Sequence, residues 1–225
     1  MNMKEKEIKD LAINFLICCY FGQSENLGRV AVDRAYIDMA SHTLKFNDEF
    51  KDERWKCRYN ASVVLLDGLK NCNKDFKEWH SSMVNALKME YNGKLLTDNK
   101  TLTEGQAQKW INMSIKYLYV FSVVLGKNDE RLKDFTELLS ISVENYNMPI
   151  DSYILKEKGY KNISWSKLNE NEYKKIISEI EGANKFIWEL EHWEEASQKH
   201  KEFNKDSYER YIQDNDLDEY KKKMD

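Results

Sequence analysis

"LTEGQAQKWINMSIKYLYVFSVVLG", residues 102–126, is the most hydrophobic stretch of a charge-rich chain, and it reads as one helix. Thr103 and Gln106 make a T-x-x-Q capping box that fixes its start. Gly126, followed by Lys127, ends it. At about 100° per residue, Trp110, Ile111, Ser114, Leu118, Phe121 and Leu125 share a broad apolar face. Tyr117, Val120 and Val124 extend that face almost around the cylinder. What remains polar is a narrow stripe, with Lys109, Asn112 and Lys116 within about 60° of one another. A helix so apolar belongs in a core, yet lysines are rarely buried without a partner. One reading has both lysines packing their methylene stems and sending the ammoniums out to solvent. The other makes the stripe the floor of a cleft. Lys109, near the positive end of the helix, is then desolvated and its pKa lowered, which suits a nucleophile.

Working outward, helical periodicity continues on both sides. Ile8, Leu11, Phe15 and Cys18 or Cys19 mark one face of a first helix over roughly 4–21. Ser24 is placed to cap a second, whose face is Leu27, Val30, Ala31, Ala35 and Met39. "FNDEFKDE" reads as a loop. A third helix, about 52–71, presents Trp55, Tyr59, Val63, Leu66 and Leu69. Asn73 is placed to cap a fourth with Phe76, Trp79, Met83, Leu87 and Tyr91 inside and Asn92-Gly93 as its stop. Beyond the central helix, the segment 128–147 suggests one helix, Pro149 suits a first helical turn, and Asn169 with Glu172 forms a second capping box. Helices over about 170–203 are broken at Gly182.

The fold class is therefore all-α, a compact multi-helix domain over 1–203 with a possible division into 1–98 and 99–203. Residues 204–225 are charged and weakly amphipathic, a peripheral helix or tail. One proline and eight glycines in 225 residues agree, since turn-rich β-folds use more of both. Hydrophobic residues at 41% and charged residues at 33% describe a soluble globular protein. A net charge of −4 does not advertise a nucleic-acid binder, although only the contacting face matters. Cys18, Cys19, Cys57 and Cys72 lack metal-site spacing and read as reduced and structural. Without a leader-like segment or a membrane span, a cytoplasmic location is expected.

"GQAQKWINMSIKYL", preceded by "FKEWH" and followed by "MPIDSYIL" and "WSKL", resembles a family of uncharacterised bacterial all-helical proteins with those blocks in that order. The likeness covers about residues 70–195. A second, functional resemblance is to helix-hairpin-helix DNA glycosylases. In those enzymes a lysine lies early in a helix after a glycine-containing turn, and a Pro-[Val/Ile]-Asp-x-[His/Tyr]-[Ile/Val] segment follows. Gly105, Lys109 and "PIDSYI", Pro149 to Ile154, occur here in that order. The resemblance implies Lys109 as amine nucleophile and Asp151 as assisting carboxylate, acting on DNA without a cofactor or metal. The chain departs from the family in having only Gly105 where the hairpin carries Gly-x-Gly, and in a longer interval between lysine and aspartate.

The resemblance also implies a flipped base and hence an aromatic pocket, for which Trp79, Trp110, Trp188 and Trp193 are candidate walls. Helix N-terminal amides near Gly105 are placed to hold a phosphate, with Asn112 and Lys116 further along the stripe. Blander readings stand beside these. Asp151 complements a helix dipole, tryptophans at helical spacing are core, and His80 is a hydrogen-bonded core-edge residue. Glu189 and His192 have i, i+3 spacing for a metal but lack a second pair. No Walker loop, G-x-S-x-G or H-E-x-x-H is present. The alternative function is a non-enzymatic helical module binding another protein in a bacterial or phage regulatory or defence setting.

Overall fold

The computed structural model describes residues 3–41, 43–72, 75–94, 101–160, 162–180 and 184–214, with side chains placed from residue 7 to residue 199. Among the described residues the fold is all-helical, with no strand. The helices are α1 (Met3–Phe21), α2 (Leu27–Ala40), α3 (Arg54–Lys70), α4 (Phe76–Glu90), α5 (Glu104–Leu125), α6 (Thr136–Ser140), α7 (Ser152–Glu157), α8 (Glu170–Ser178) and α9 (Lys185–Asp214). None is long and apolar enough to cross a membrane.

The central helix is α5. Thr103 caps it with the expected reciprocal box, and Gly126 leaves it at φ 96°, a conformation that favours glycine. Its apolar face packs most extensively on α2, where Leu27, Val30, Ala31, Ala35 and Met39 are buried as the periodicity predicts. α4 likewise buries Phe76, Trp79, Met83, Leu87 and Tyr91. These residues join α3 and α6 in one apolar cluster, and Met148, Ile150, Ile154, Leu168, Tyr173 and Ile176 form a second. Leu102 and Trp110, which follow residue 98, share the first cluster with Leu27 and Leu87, which precede it. Along the chain the first cluster runs to Tyr146, the second takes Met148 to Ile180, and Phe186 returns to the first.

Several expectations are corrected. α1 turns Ile8, Leu11 and Phe15 outward and docks through the alternative row Ile13, Ile17 and Phe21. Cys18 and Cys19 are exposed, whereas Cys57 and Cys72 are buried. α3 also carries two apolar rows. The smaller row, Cys57, Ala61, Leu65 and Leu69, faces the core, and Trp55, Tyr59 and Val63 face outward. Small side chains let neighbouring helices approach, and Gly68 admits Met83: a β-carbon there would lie 1.9 Å from its terminal methyl.

The segment 128–147 is not one helix. It forms a 3-10 turn over Glu130–Phe135, the single-turn α6 and a second 3-10 turn at Val143–Asn145. Thr136 and Ser140 hydroxyls donate to carbonyls three residues back, which competes with helical propagation. Pro149 lies outside any helix, two residues ahead of the Asp151 cap of α7. Asn26 rather than Ser24 caps α2. Asp48–Glu53, expected as loop, is a 3-10 turn. Asp75 caps α4; the expected cap Asn73 and the break at Gly182 lie outside the described residues. α9 continues past residue 203 to Asp214, and 215–225 lie outside the described residues.

Candidate functional site

Chain folding brings Lys109 and Asp151 together. The Lys109 ammonium lies 3.6 Å from Asp151 Oδ2, an ion contact longer than a hydrogen bond, and both side chains are largely buried. Asp151 is held by its role as helix cap. Its Oδ1 accepts the Tyr153 and Ile154 amides at 2.9 and 3.0 Å. That leaves Oδ2 to face Lys109 and to accept the Trp193 indole N–H at 3.1 Å. The helix-cap reading of Asp151 and the lysine partnership therefore coexist, one on each oxygen.

Gly105 has a different task from the one expected. Its amide donates to Leu168 O at 3.0 Å, and a β-carbon would sit 1.9 Å from Trp165 O. The Gln106 and Ala107 amides are taken by Thr103. The amides near Gly105 thus have partners within the protein and do not form a phosphate cradle. Close approach of the 165–168 turn instead sets the Trp165 ring 4.4 Å from the Lys109 ammonium. Burial disfavours the charged amine and lowers the Lys109 pKa, while the Asp151 carboxylate works against that fall.

Two turns further along, Lys116 makes both of its short contacts with Glu189, at 2.9 and 2.7 Å. Neither lysine snorkels: Lys109 is 7% exposed and Lys116 9%. Glu189 is more deeply buried still, and desolvation pushes its pKa up to about 6. The pairs share an aromatic neighbour, since Trp193 also lies 5.6 Å from the Lys116 ammonium.

Both lysines, Asp151 and Trp193 line a cavity of about 580 Å³. Its other walls come from α1 and α2, through Tyr20, Arg34 and Asp38, and from Tyr117 and Tyr153. The Arg34 guanidinium stacks over Tyr20 at 4.3 Å and pairs with Asp38 at 3.3 Å. Tyr117 donates its hydroxyl to Asp38. Along α5 the cavity reads Lys109, Met113, Lys116 and Tyr117, one face of the helix.

Asn112 falls on the other flank. It is fully buried, with its amide nitrogen toward Gln108, Met148 O and the Tyr173 hydroxyl, and its oxygen 2.9 Å from His80 Nε2. It is a structural hub and not part of the cavity lining. Three of the four tryptophans are corrected as well. Trp79 and Trp110 are core residues whose indoles donate to Gly68 O and Val32 O, each at 3.0 Å. Trp188 stacks on His192 at 4.3 Å beside the second apolar cluster. Of the four, Trp193 alone lines the cavity.

Sequence reading missed Glu189 as a lysine partner, Trp165 over the amine, and the Tyr20, Arg34 and Asp38 wall. The i, i+4 spacing of Arg34 and Asp38 was visible, but nothing local points α2 or α9 at α5. No family model, no curated protein and no solved structure matches this chain. The cavity must therefore be read on its own chemistry: a desolvated amine, a fixed carboxylate, and rings on several sides.

Proposed function

We propose that this protein cleaves N-glycosidic bonds in DNA, with Lys109 as nucleophile and Asp151 as its carboxylate partner. The observation that carries the reading is the 3.6 Å Lys109–Asp151 contact on the wall of a ring-lined cavity of about 580 Å³. A flipped base needs such a recess and flat apolar surfaces to stack on. Trp193, Tyr117 and Tyr153 supply them here. A neutral Lys109 amine attacks C1′, the C1′–N bond breaks, and its electron pair leaves with the base. The proton released from the new ammonium passes through Asp151 to the departing base. O4′ takes a proton from water as the sugar ring opens to an iminium on Lys109. Until the base departs, the Asp151 carboxylate stabilises the positive charge that builds on the sugar.

Borohydride reduction of the iminium tests this directly. Duplexes carrying an abasic site, uracil or 8-oxoguanine are incubated with the full chain and reduced. A covalent adduct is expected, lost in Lys109→Ala, with trapping that rises with pH and levels off below the ordinary lysine pKa of about 10.4. Absence of an adduct on every duplex, or an adduct unchanged in Lys109→Ala, overturns the proposal. The rival reading, a protein-binding module, draws on the exposed apolar row of α1 and leaves Lys109 without a chemical role.

A further inference from the structure

Outside the cavity, the outer face of α1 stands apart. Phe21 anchors the helix edge-on against Tyr117 and Phe121, at 5.1 and 5.0 Å, with Ile17 buried one turn earlier. On the opposite face Ile8, Leu11 and Phe15 are 57%, 69% and 66% exposed, and Leu16 beside them is 65% exposed. Cys18 continues the row, also exposed. Positions 8, 11, 15 and 18 follow the three-four-three spacing of a coiled-coil seam. A seam of this kind packs against another helix of the same spacing, and the chain itself provides one.

We propose that α1 pairs with α1 of a second copy of this chain, making a two-fold symmetric dimer. Ile8, Leu11, Phe15 and Leu16, each more than half exposed, form one contiguous apolar patch. Paired with its own copy, such a patch makes an interface of the smaller, weaker class, on the order of 1,000 Å² in total. An isologous contact presents the same patch twice, so every knob on one helix meets apolar surface on the other. Charge argues against a lipid surface as the occupant. Lys4, Lys6 and Lys9 are matched by Glu5, Glu7 and Asp10, and residues 11–21 carry no charge, so the helix lacks the basic polar face that anionic membranes attract. The inference is independent of the reading of Lys109.

Sedimentation velocity on the full chain at about 100 μM, well above a micromolar Kd, provides the test. Reducing buffer keeps the exposed Cys18 and Cys19 thiols from cross-linking chains. A dimer is expected, and the double variant Leu11→Glu with Phe15→Glu should raise its dissociation constant by at least about a hundredfold. Since both side chains already face outward, the variant should keep the wild-type circular dichroism, and its melting temperature should match that of the wild type at concentrations low enough for both to be monomeric. A wild-type monomer, a variant that dimerises as tightly as the wild type, or a monomer that pellets with phosphatidylcholine–phosphatidylserine vesicles would each overturn the assignment.

Discussion

Lys116 and Glu189 are an ion pair almost without water, and two buried charges of that kind depend on each other. Removing one partner strands the other in low dielectric, which costs about 3–5 kcal/mol, whereas replacing both by apolar side chains of similar size is often neutral or stabilising. Lys116→Met should therefore destabilise the fold toward the lower figure, because a carboxyl whose pKa is already raised takes up a proton rather than stay charged. Lys116→Met with Glu189→Leu should recover most of the loss. Urea unfolding of the two variants checks this, and a double variant no more stable than the single one would show that the pair is not mutually dependent. Lys109 is held more loosely. Its carboxylate stands 3.6 Å away and already serves an amide cap and an indole, which leaves the amine room to react.

Helix α5 owes its placement to its first turn. The capping box fixes where the helix begins, and Gly105 lets the 165–168 turn sit against its backbone. A side chain at position 105 has nowhere to go, since the obstructing atom is a carbonyl oxygen and not a flexible tip. Gly105→Ala should therefore displace the turn and cost about 1–3 kcal/mol, although alanine is the better helix former. Because the same turn carries Trp165, the variant should also shift the Lys109 pKa, readable from the pH dependence of amine labelling at Lys109. An alanine variant as stable as the wild type, with unchanged labelling, would show that the turn does not need the glycine. α1 and α3 illustrate a different matter. Each carries two apolar rows, and periodicity identifies the rows without saying which one meets the bundle.

Both apolar clusters pack against Trp165, and they are also joined through the polar bonds of Asn112. Its oxygen can only accept, so His80 Nε2 carries the proton in the bond between them. Burial lowers the His80 pKa to about 4. Unfolded histidine titrates near 6.5, so the unfolded chain binds a proton that folded His80 refuses. The stability at stake is fully present above about pH 6.5 and is lost as pH falls toward 4, a total of about 3 kcal/mol. Glu189 acts in the opposite sense. Its raised pKa makes the folded chain gain stability as pH falls from about 6 toward 4.5. Urea midpoints over this range should thus fall less steeply in His80→Gln than in the wild type, and parallel profiles would contradict the assignment to His80.

The all-helical class, the limits of α5 and the buried faces of α2 and α4 were legible in the residues themselves. Caps, glycine stops and apolar spacing act within a few residues of chain, so they need no knowledge of distant neighbours. The Lys109–Asp151 partnership was suggested by the order of a motif, but nothing local could set its distance. Tertiary structure alone decided which row of α1 and α3 faces inward, moved Asn112 and three tryptophans out of the site, and gave Lys116 its carboxylate. Those outcomes depend on contacts between residues tens of positions apart, where shape and desolvation select among faces of similar hydrophobicity. Sequence determined the long helices, and packing between them determined which charges share a cavity.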